Sequence, residues 1–181
     1  PELEIPYFHG KKEGWQHRYN EAGELMLSIR YFEEMPMEYS YPGPDNNPVA
    51  AIPLKGGTGK VKAFYPNGNV SADMEYSNGD YVGDLKYYHS NGQLAWESKE
   101  DYDTTEGLAR KYFPSGATAA EYIYLHNSLH GPSKEWHNNG TLKEEGNYYL
   151  GYRHGEWKSF DQNGNLLNIS NYFYGRLTNS N

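Results

Sequence analysis

The sequence predicts an all-β repeat protein of about six 24-residue β-hairpins that form an elongated, twisted antiparallel meander. Three observations support this class. Glycines recur with a 24-residue period, an Asn-Gly-like turn lies at a fixed place in most copies, and an aromatic residue precedes each turn. The turn reads YPNGNV at 65–70, HSNGQL at 89–94, HNNGTL at 137–142 and DQNGNL at 161–166.

Two glycine series define the copies. The first consists of Gly14, Gly59, Gly83, Gly107, Gly131 and Gly155, and the second of Gly23, Gly68, Gly92, Gly116, Gly140 and Gly164. The aromatic column consists of Tyr19, Phe64, Tyr88, Tyr112, Trp136 and Phe160. A column of His17, Lys62, Lys86, Arg110, Lys134 and Lys158 stands two residues before it. Positions two apart share one face of a strand, and we expect these cations to lie over the rings.

Each copy is predicted to be one β-hairpin closed by its Asn-Gly turn. We expect type I′ turns, in which both central residues have positive φ. The rest of the period returns the chain to the next hairpin. A lone hairpin is marginal in water, so stability is expected from stacking between neighbouring copies.

We predict a single domain over residues 1–181. It begins with a partial repeat or cap at 1–13 and repeat 1 at 14–32, and a proline-rich insert interrupts the period at 33–58. Repeats 2 to 6 occupy 59–82, 83–106, 107–130, 131–154 and 155–175, and a tail occupies 176–181.

The insert is the part of the chain that departs most from the repeat. Long loops in compact proteins are often functional, and Met and Tyr are enriched at interfaces. We therefore predict that Met35, Met37, Tyr39 and Tyr41 bind a partner. A plain connector and a cover for a sheet edge are the alternatives.

Composition limits the function classes. The formal net charge is −8, so nucleic acid is not expected as a partner and a basic protein is favoured. There is no cysteine, which excludes thiolate nucleophiles and disulfides. No apolar run is long enough to insert into a membrane, and no nucleophile-elbow, phosphate-loop, HExxH or kinase signature occurs. We predict no catalytic residue, no metal and no cofactor.

Titratable residues form one unusual group, the run KEDYDTTEG at 99–107. It is interpreted as a solvated acidic loop, as a contact patch formed by Asp101, Asp103 and Glu106, or as a cation site. The histidines follow the repeat, so equivalent ones lie about 10 Å apart on a meander, too far to share one metal ion.

Three segments resemble the variant MORN repeat. They are GDLKYYHSNGQLAWES (83–98), GPSKEWHNNGTLKEEGNYYLGYRHGEW (131–157) and GEWKSFDQNGNLLNISNYFYG (155–175). The resemblance implies a bacterial β-repeat protein, a group that includes antitoxin-like proteins and immunity partners of secreted toxins. It is specific for the fold, whereas function resides in sites that the repeat columns do not define.

The favoured hypothesis is a non-enzymatic immunity or antitoxin module that neutralises a basic toxin or effector by occlusion. A carbohydrate or cell-envelope binder and a structural or lipid-associated scaffold are the alternatives. The chain begins at Pro1 rather than Met, consistent with a leader or tag removed before this numbering, and we expect bacterial cytoplasm or periplasm.

Overall fold

The computed structural model describes residues 2–180 and contains only strands and turns. No helix occurs among these residues, so none is long and apolar enough to cross a membrane. Every named strand pair is antiparallel. The chain divides into two compact units, residues 1–94 and residues 95–181.

The first unit contains a five-stranded sheet, a small separate hairpin and the first three strands of a second sheet. The strands are β1 (Glu2–Glu4), β2 (Tyr7–Phe8), β3 (Lys11–Lys12), β4 (Gly14–Tyr19), β5 (Leu25–Phe32), β6 (Met35–Ser40), β7 (Ile52–Pro53), β8 (Gly59–Phe64), β9 (Val70–Ser77) and β10 (Asp80–Tyr88). The first sheet has the order β1-β4-β5-β6-β7, and β8, β9 and β10 pair in chain order. The predicted insert thus contributes two strands, β6 and β7, and a loop over residues 41–51.

The second unit is one antiparallel meander that begins at the unit boundary. Its strands are β11 (Leu94–Asp101), β12 (Thr104–Thr105), β13 (Gly107–Tyr112), β14 (Thr118–Leu125), β15 (Ser128–Trp136), β16 (Leu142–Tyr149), β17 (Tyr152–Phe160), β18 (Leu166–Phe173) and β19 (Arg176–Ser180). β11 pairs with β12 and β13, and β13 to β19 pair in chain order. The predicted all-β hairpin repeat is confirmed, and most of the predicted tail forms strand β19.

The predicted turn type was wrong. In the Asn-Gly turn of copy two, Gly68 has positive φ but Asn67 does not, and Gly68 N donates to the carbonyl of Tyr65 over 2.9 Å. The register of β8 and β9 shifts between Ala63 and Phe64, as expected for a longer loop that ends in a glycine bulge. Two consecutive positive φ values occur instead in the return turns between copies, for example at Leu150 and Gly151.

The core of the first unit lies where the hairpins of copies one and two meet. The Tyr31 and Tyr76 hydroxyls are 2.9 Å apart, and Ser71 Oγ donates to the Met26 carbonyl over 2.8 Å. Tyr31 and Tyr76 are 4% and 1% exposed, so these phenols form part of the core. Both bonds join residues 45 positions apart, so these side chains connect the two copies.

The second unit has a thinner core made largely of small residues. Its buried apolar residues are Ala109, Ala119, Ala120 and Trp157. The Trp157 indole lies directly over Gly146, donates to the Asn147 carbonyl over 3.1 Å, and carries the Arg153 guanidinium 4.0 Å from its ring centre. Large rings therefore fit because small residues face them.

A charge ladder occupies one face of the second unit. Its residues alternate in sign from strand to strand: Glu97, Arg110, Glu121, Lys134, Glu145 and Lys158. Arg110 lies 2.9 Å from Glu121, and Lys134 lies 3.8 Å from Glu145. These cations thus pair with carboxylates on adjacent strands, and their placement over the aromatic column stays a prediction.

Candidate functional site

The return turns of the second unit form a continuous row. Three of the four turns donate a backbone hydrogen bond to the second residue after the preceding turn. Asn127 N donates to the Thr105 carbonyl over 3.2 Å, and Gly151 N to the Leu129 carbonyl over 2.8 Å. Gly175 N donates to the Arg153 carbonyl over 2.8 Å. We call residues 101–105, 125–129, 149–153 and 173–176 the return-turn edge.

This edge exposes large apolar side chains. They are Tyr102, Leu125, Tyr149, Leu150, Tyr152, Phe173 and Tyr174, each between 39% and 61% exposed. Two-residue turns with positive φ normally favour Gly, Asn or Asp. Tyr102, Leu150 and Tyr174 nevertheless occupy the first central position with φ near 47°. Bulky residues at these positions raise the cost of the turn and place a ring or an aliphatic chain at its tip.

An aromatic cluster occupies one end of the edge. The His154 ring lies 5.5 Å from Phe173 and 5.2 Å from Tyr174, and Tyr149 lies 5.0 Å from His130. Both histidines bury Nδ1, and both rings pack against aromatic neighbours. Within residues 2–180, no group of three His, Asp or Glu side chains is arranged to hold a metal ion.

The predicted acidic residues lie at the other end of the same edge. Asp101 and Asp103 are exposed. Glu106 accepts a hydrogen bond from the His126 backbone over 3.0 Å and pairs with the His126 ring. Asn127 accepts from Thr105 N over 2.6 Å and fixes this turn. The acidic loop thus lies on the same return-turn edge as the aromatic cluster. Contact between the acidic loop and a partner stays a prediction.

The four predicted residues of the insert are mostly directed into the protein. Tyr39 is 6% exposed, and Met35 packs its sulfur against Gly57 and Gly79. Tyr41 lies 5.4 Å from the Phe64 ring. Met37, 36% exposed, offers the most accessible side chain of the four. Their role in partner binding stays a prediction, and Tyr39 in particular packs within its own unit.

Sequence reasoning missed the aromatic cluster. A signal was present in the return-turn segments YLGY (149–152) and FYGR (173–176), where large apolar residues flank or occupy a tight turn. Turns of this kind are usually polar, so apolar residues there are informative. The cluster draws on three return turns that lie 24 residues apart, and only the strand pairing brings them together.

Three segments match the family model of the MORN repeat variant: residues 58–78, 129–148 and 153–173. No curated protein matches the chain significantly. The match supports MORN-type repeats in both units. Such repeats are generally binding or scaffold modules. An exposed apolar row with an acidic end is suited to contact with another molecule.

Proposed function

We propose that the protein is a non-enzymatic binding module that contacts a basic protein partner through the return-turn edge. The observation that carries this proposal is the row of seven exposed large apolar side chains along one edge of the second unit. Contiguous exposed apolar surface marks interaction sites in soluble proteins. Tyrosine suits such a surface because its ring contributes apolar area and its hydroxyl remains solvated.

The acidic residues supply the second part of the argument. A net charge of −8 attracts a basic partner over a distance and raises the association rate, mainly at low ionic strength. Asp101 and Asp103 place that charge beside the apolar row, where it would favour one orientation of the partner. Affinity would come chiefly from the buried rings, since exposed ion pairs contribute little.

We further propose that the partner is a bacterial toxin or effector and that binding occludes its active site. The support is the resemblance of the repeats to the variant MORN repeat, a group that includes antitoxin-like and immunity proteins, together with the acidic charge. A rigid, repeated scaffold can present an extended surface with little ordering cost. Met37 in the insert is a candidate for a second contact.

Affinity capture from source-cell extract tests the proposal. The double variant Tyr152→Ser, Phe173→Ser reduces the exposed aromatic surface at the edge. Leu166→Ser, Leu167→Ser is the matched control, because these leucines are 51% and 64% exposed near an Asn-Gly turn of the same unit. We expect a basic protein that the wild type and the control retain and the edge variant loses. Equal retention by all three would overturn the edge as the contact surface.

An activity assay of the partner distinguishes occlusion of its active site from binding without inhibition. The captured protein, purified and assayed alone, is expected to lose activity on addition of the wild type but not of the edge variant. A partner that binds without inhibition would refute neutralisation and leave a scaffold role.

Exposed rings also favour one alternative, carbohydrate binding, because sugars stack on aromatic faces. A glycan array separates the two ligands. Glycans bound by the wild type and lost with Tyr152→Ser, Phe173→Ser, in the absence of any captured protein, would replace the protein partner with a carbohydrate.

A further inference from the structure

One face of the β4–β5 hairpin carries different residues from the corresponding face of the later hairpins. In the second, fourth and fifth copies a cation faces a carboxylate across the strands, as in Lys62 with Asp73 and Lys134 with Glu145, and in the sixth Lys158 faces Ile169. In the first copy the two positions hold His17 and Ser28, which are register partners with His17 Nδ1 2.8 Å from Ser28 Oγ. The first copy alone has neither a Lys or Arg nor an acidic residue at these positions.

The insert lies against this altered face. Ser40 on β6 is the register partner of Ser28, and its hydroxyl donates to the Val49 carbonyl over 2.7 Å. A concave pocket results between the hairpin and the loop. Its lining consists of Trp15, His17, Ser28, Ser40, Pro48, Val49 and Ala51. The His17–Ser28 pair and the overlying loop therefore occur together, in one copy.

The loop over the pocket is fixed by its own hydrogen bonds. Pro42 and Pro48 form an isolated bridge, and Gly43 N donates to the Asn47 carbonyl over 2.7 Å. Asn47 also donates through its amide to the Asp45 carboxylate, which lowers the pKa of Asp45. A loop that is ordered before binding reduces the entropy lost when a ligand enters.

We infer that this pocket binds a small uncharged ligand with an aromatic ring and one hydroxyl group, a phenol in chemical class. Trp15 on the strand and Pro48, Val49 and Ala51 on the loop supply apolar walls for a ring. His17, Ser28 and Ser40 supply hydrogen-bonding groups on one side. This site is separate from the return-turn edge, and it does not depend on the proposed protein partner.

The lining discriminates against two other ligand classes. It contains no Asp or Glu to pair with a cation and no Lys or Arg to pair with an anion, and His17 Nδ1 already lies 2.8 Å from Ser28 Oγ, so a charged ligand would lose hydration with little compensation. A sugar carries several hydroxyl groups, whereas the Ser28 and Ser40 hydroxyls already hydrogen-bond to His17 and Val49. Sugar hydroxyls that face the apolar wall would lose their water partners, so one hydroxyl on an apolar ring is the better complement.

Titration with phenol, followed by ¹H–¹⁵N NMR, tests the site. The chain has four tryptophans, so each indole N–H gives its own signal, and Trp15→Phe assigns that of Trp15. We expect the Trp15 signal to shift with a Kd on the order of 1 mM, with the other three unchanged. Toluene is expected to bind about 2- to 10-fold more weakly, because it lacks the hydrogen bond. Benzoate and methyl glucoside are expected not to shift Trp15.

Two matched variants establish the location. Ala51→Phe fills the pocket from the loop, and Ala50→Phe adds the same ring at an exposed neighbour that does not line it. Phenol is expected to shift Trp15 in Ala50→Phe as in the wild type and not in Ala51→Phe. No shift of Trp15 with phenol, or the same shift in both variants, would overturn the site. Toluene or benzoate binding as tightly as phenol would overturn the ligand class.

Discussion

Gly146→Ala should destabilise the second unit, although alanine is ordinarily the better residue in a strand. Gly146 lies in β16 outside the positive-φ region, so its backbone accepts alanine. An added Cβ, however, would meet the indole of Trp157 and lie only 2.6 Å from its Cγ. Carbon atoms pack best at about 3.5–4.0 Å, so the ring or the strand must move by about 1 Å.

The cost follows from three of the contacts of the Trp157 ring, those with Gly146, Asn147 and Arg153. Overpacking a well-packed site costs about 1–3 kcal/mol. Displacement also weakens the hydrogen bond to the Asn147 carbonyl and the stacking of Arg153, each contributing on the order of 0.5–1 kcal/mol. Replacing a strand glycine by alanine by itself stabilises the folded state by about 0.5–1 kcal/mol. The net expectation is a loss of about 2–3 kcal/mol.

Urea denaturation monitored by tryptophan fluorescence measures this loss, with near-ultraviolet circular dichroism as a check on Trp157 packing. The double variant Gly146→Ala, Trp157→Leu is the control. If the clash is the cause, alanine at 146 should cost much less when the smaller leucine is at 157, giving a coupling of at least about 1 kcal/mol. A Gly146→Ala protein as stable as the wild type would refute the argument.

Three further predictions concern the ladder, the edge and the pH dependence. Lys134→Glu should cost about 0.5–1 kcal/mol in urea at low salt, and 1 M NaCl should recover most of it. A loss independent of salt would contradict an electrostatic origin. Asn127→Ala should lower the free energy of unfolding by about 1–2 kcal/mol and speed amide exchange in the turn that contains it, because the Asn127 side chain hydrogen-bonds to the neighbouring turn. Amides in this turn that stay protected would contradict this. Burial, followed by the hydrogen bond to Glu97, raises the pKa of Tyr112 from 10.0 to about 12. The neutral phenol thus adds stability below pH 10 that is lost as pH rises towards 12, and Tyr112→Phe should flatten the fall in the urea midpoint over that window.

The hairpins could be predicted from the sequence because each repeats the same local signals. Glycines at a constant spacing, an Asn-Gly turn and alternating strands predict β8 with β9, or β17 with β18, directly. Turn type could not be predicted, since Asn-Gly is compatible with the longer loop that ends in a bulge at Gly68. The burial of Tyr39 in the insert could not be predicted either, because it results from the packing of β6 on β5.

Less of the candidate site could be predicted. The acidic residues Asp101 and Asp103 were found because their charge is visible in sequence. The cluster around His154 was missed because Tyr149, Phe173 and Tyr174 belong to return segments that are distant in sequence, and only strand pairing brings those segments together. The acidic column of Asp73, Glu97, Glu121 and Glu145 also recurs every 24 residues and could have predicted the ladder.

The complementary sizes across β14 to β17 bear on how similar hairpins avoid misassembly. Charges repeat almost unchanged from copy to copy, so they cannot tell one neighbour from another. Tyr122 faces Ser133, whereas Trp157 requires the bare backbone of Gly146. Were β17 to dock beside β14 in the equivalent register, Trp157 would meet Tyr122 and clash. Side-chain volume thus determines which hairpins can pair. Incorrect hairpin orders are disfavoured by steric clashes as the sheet forms.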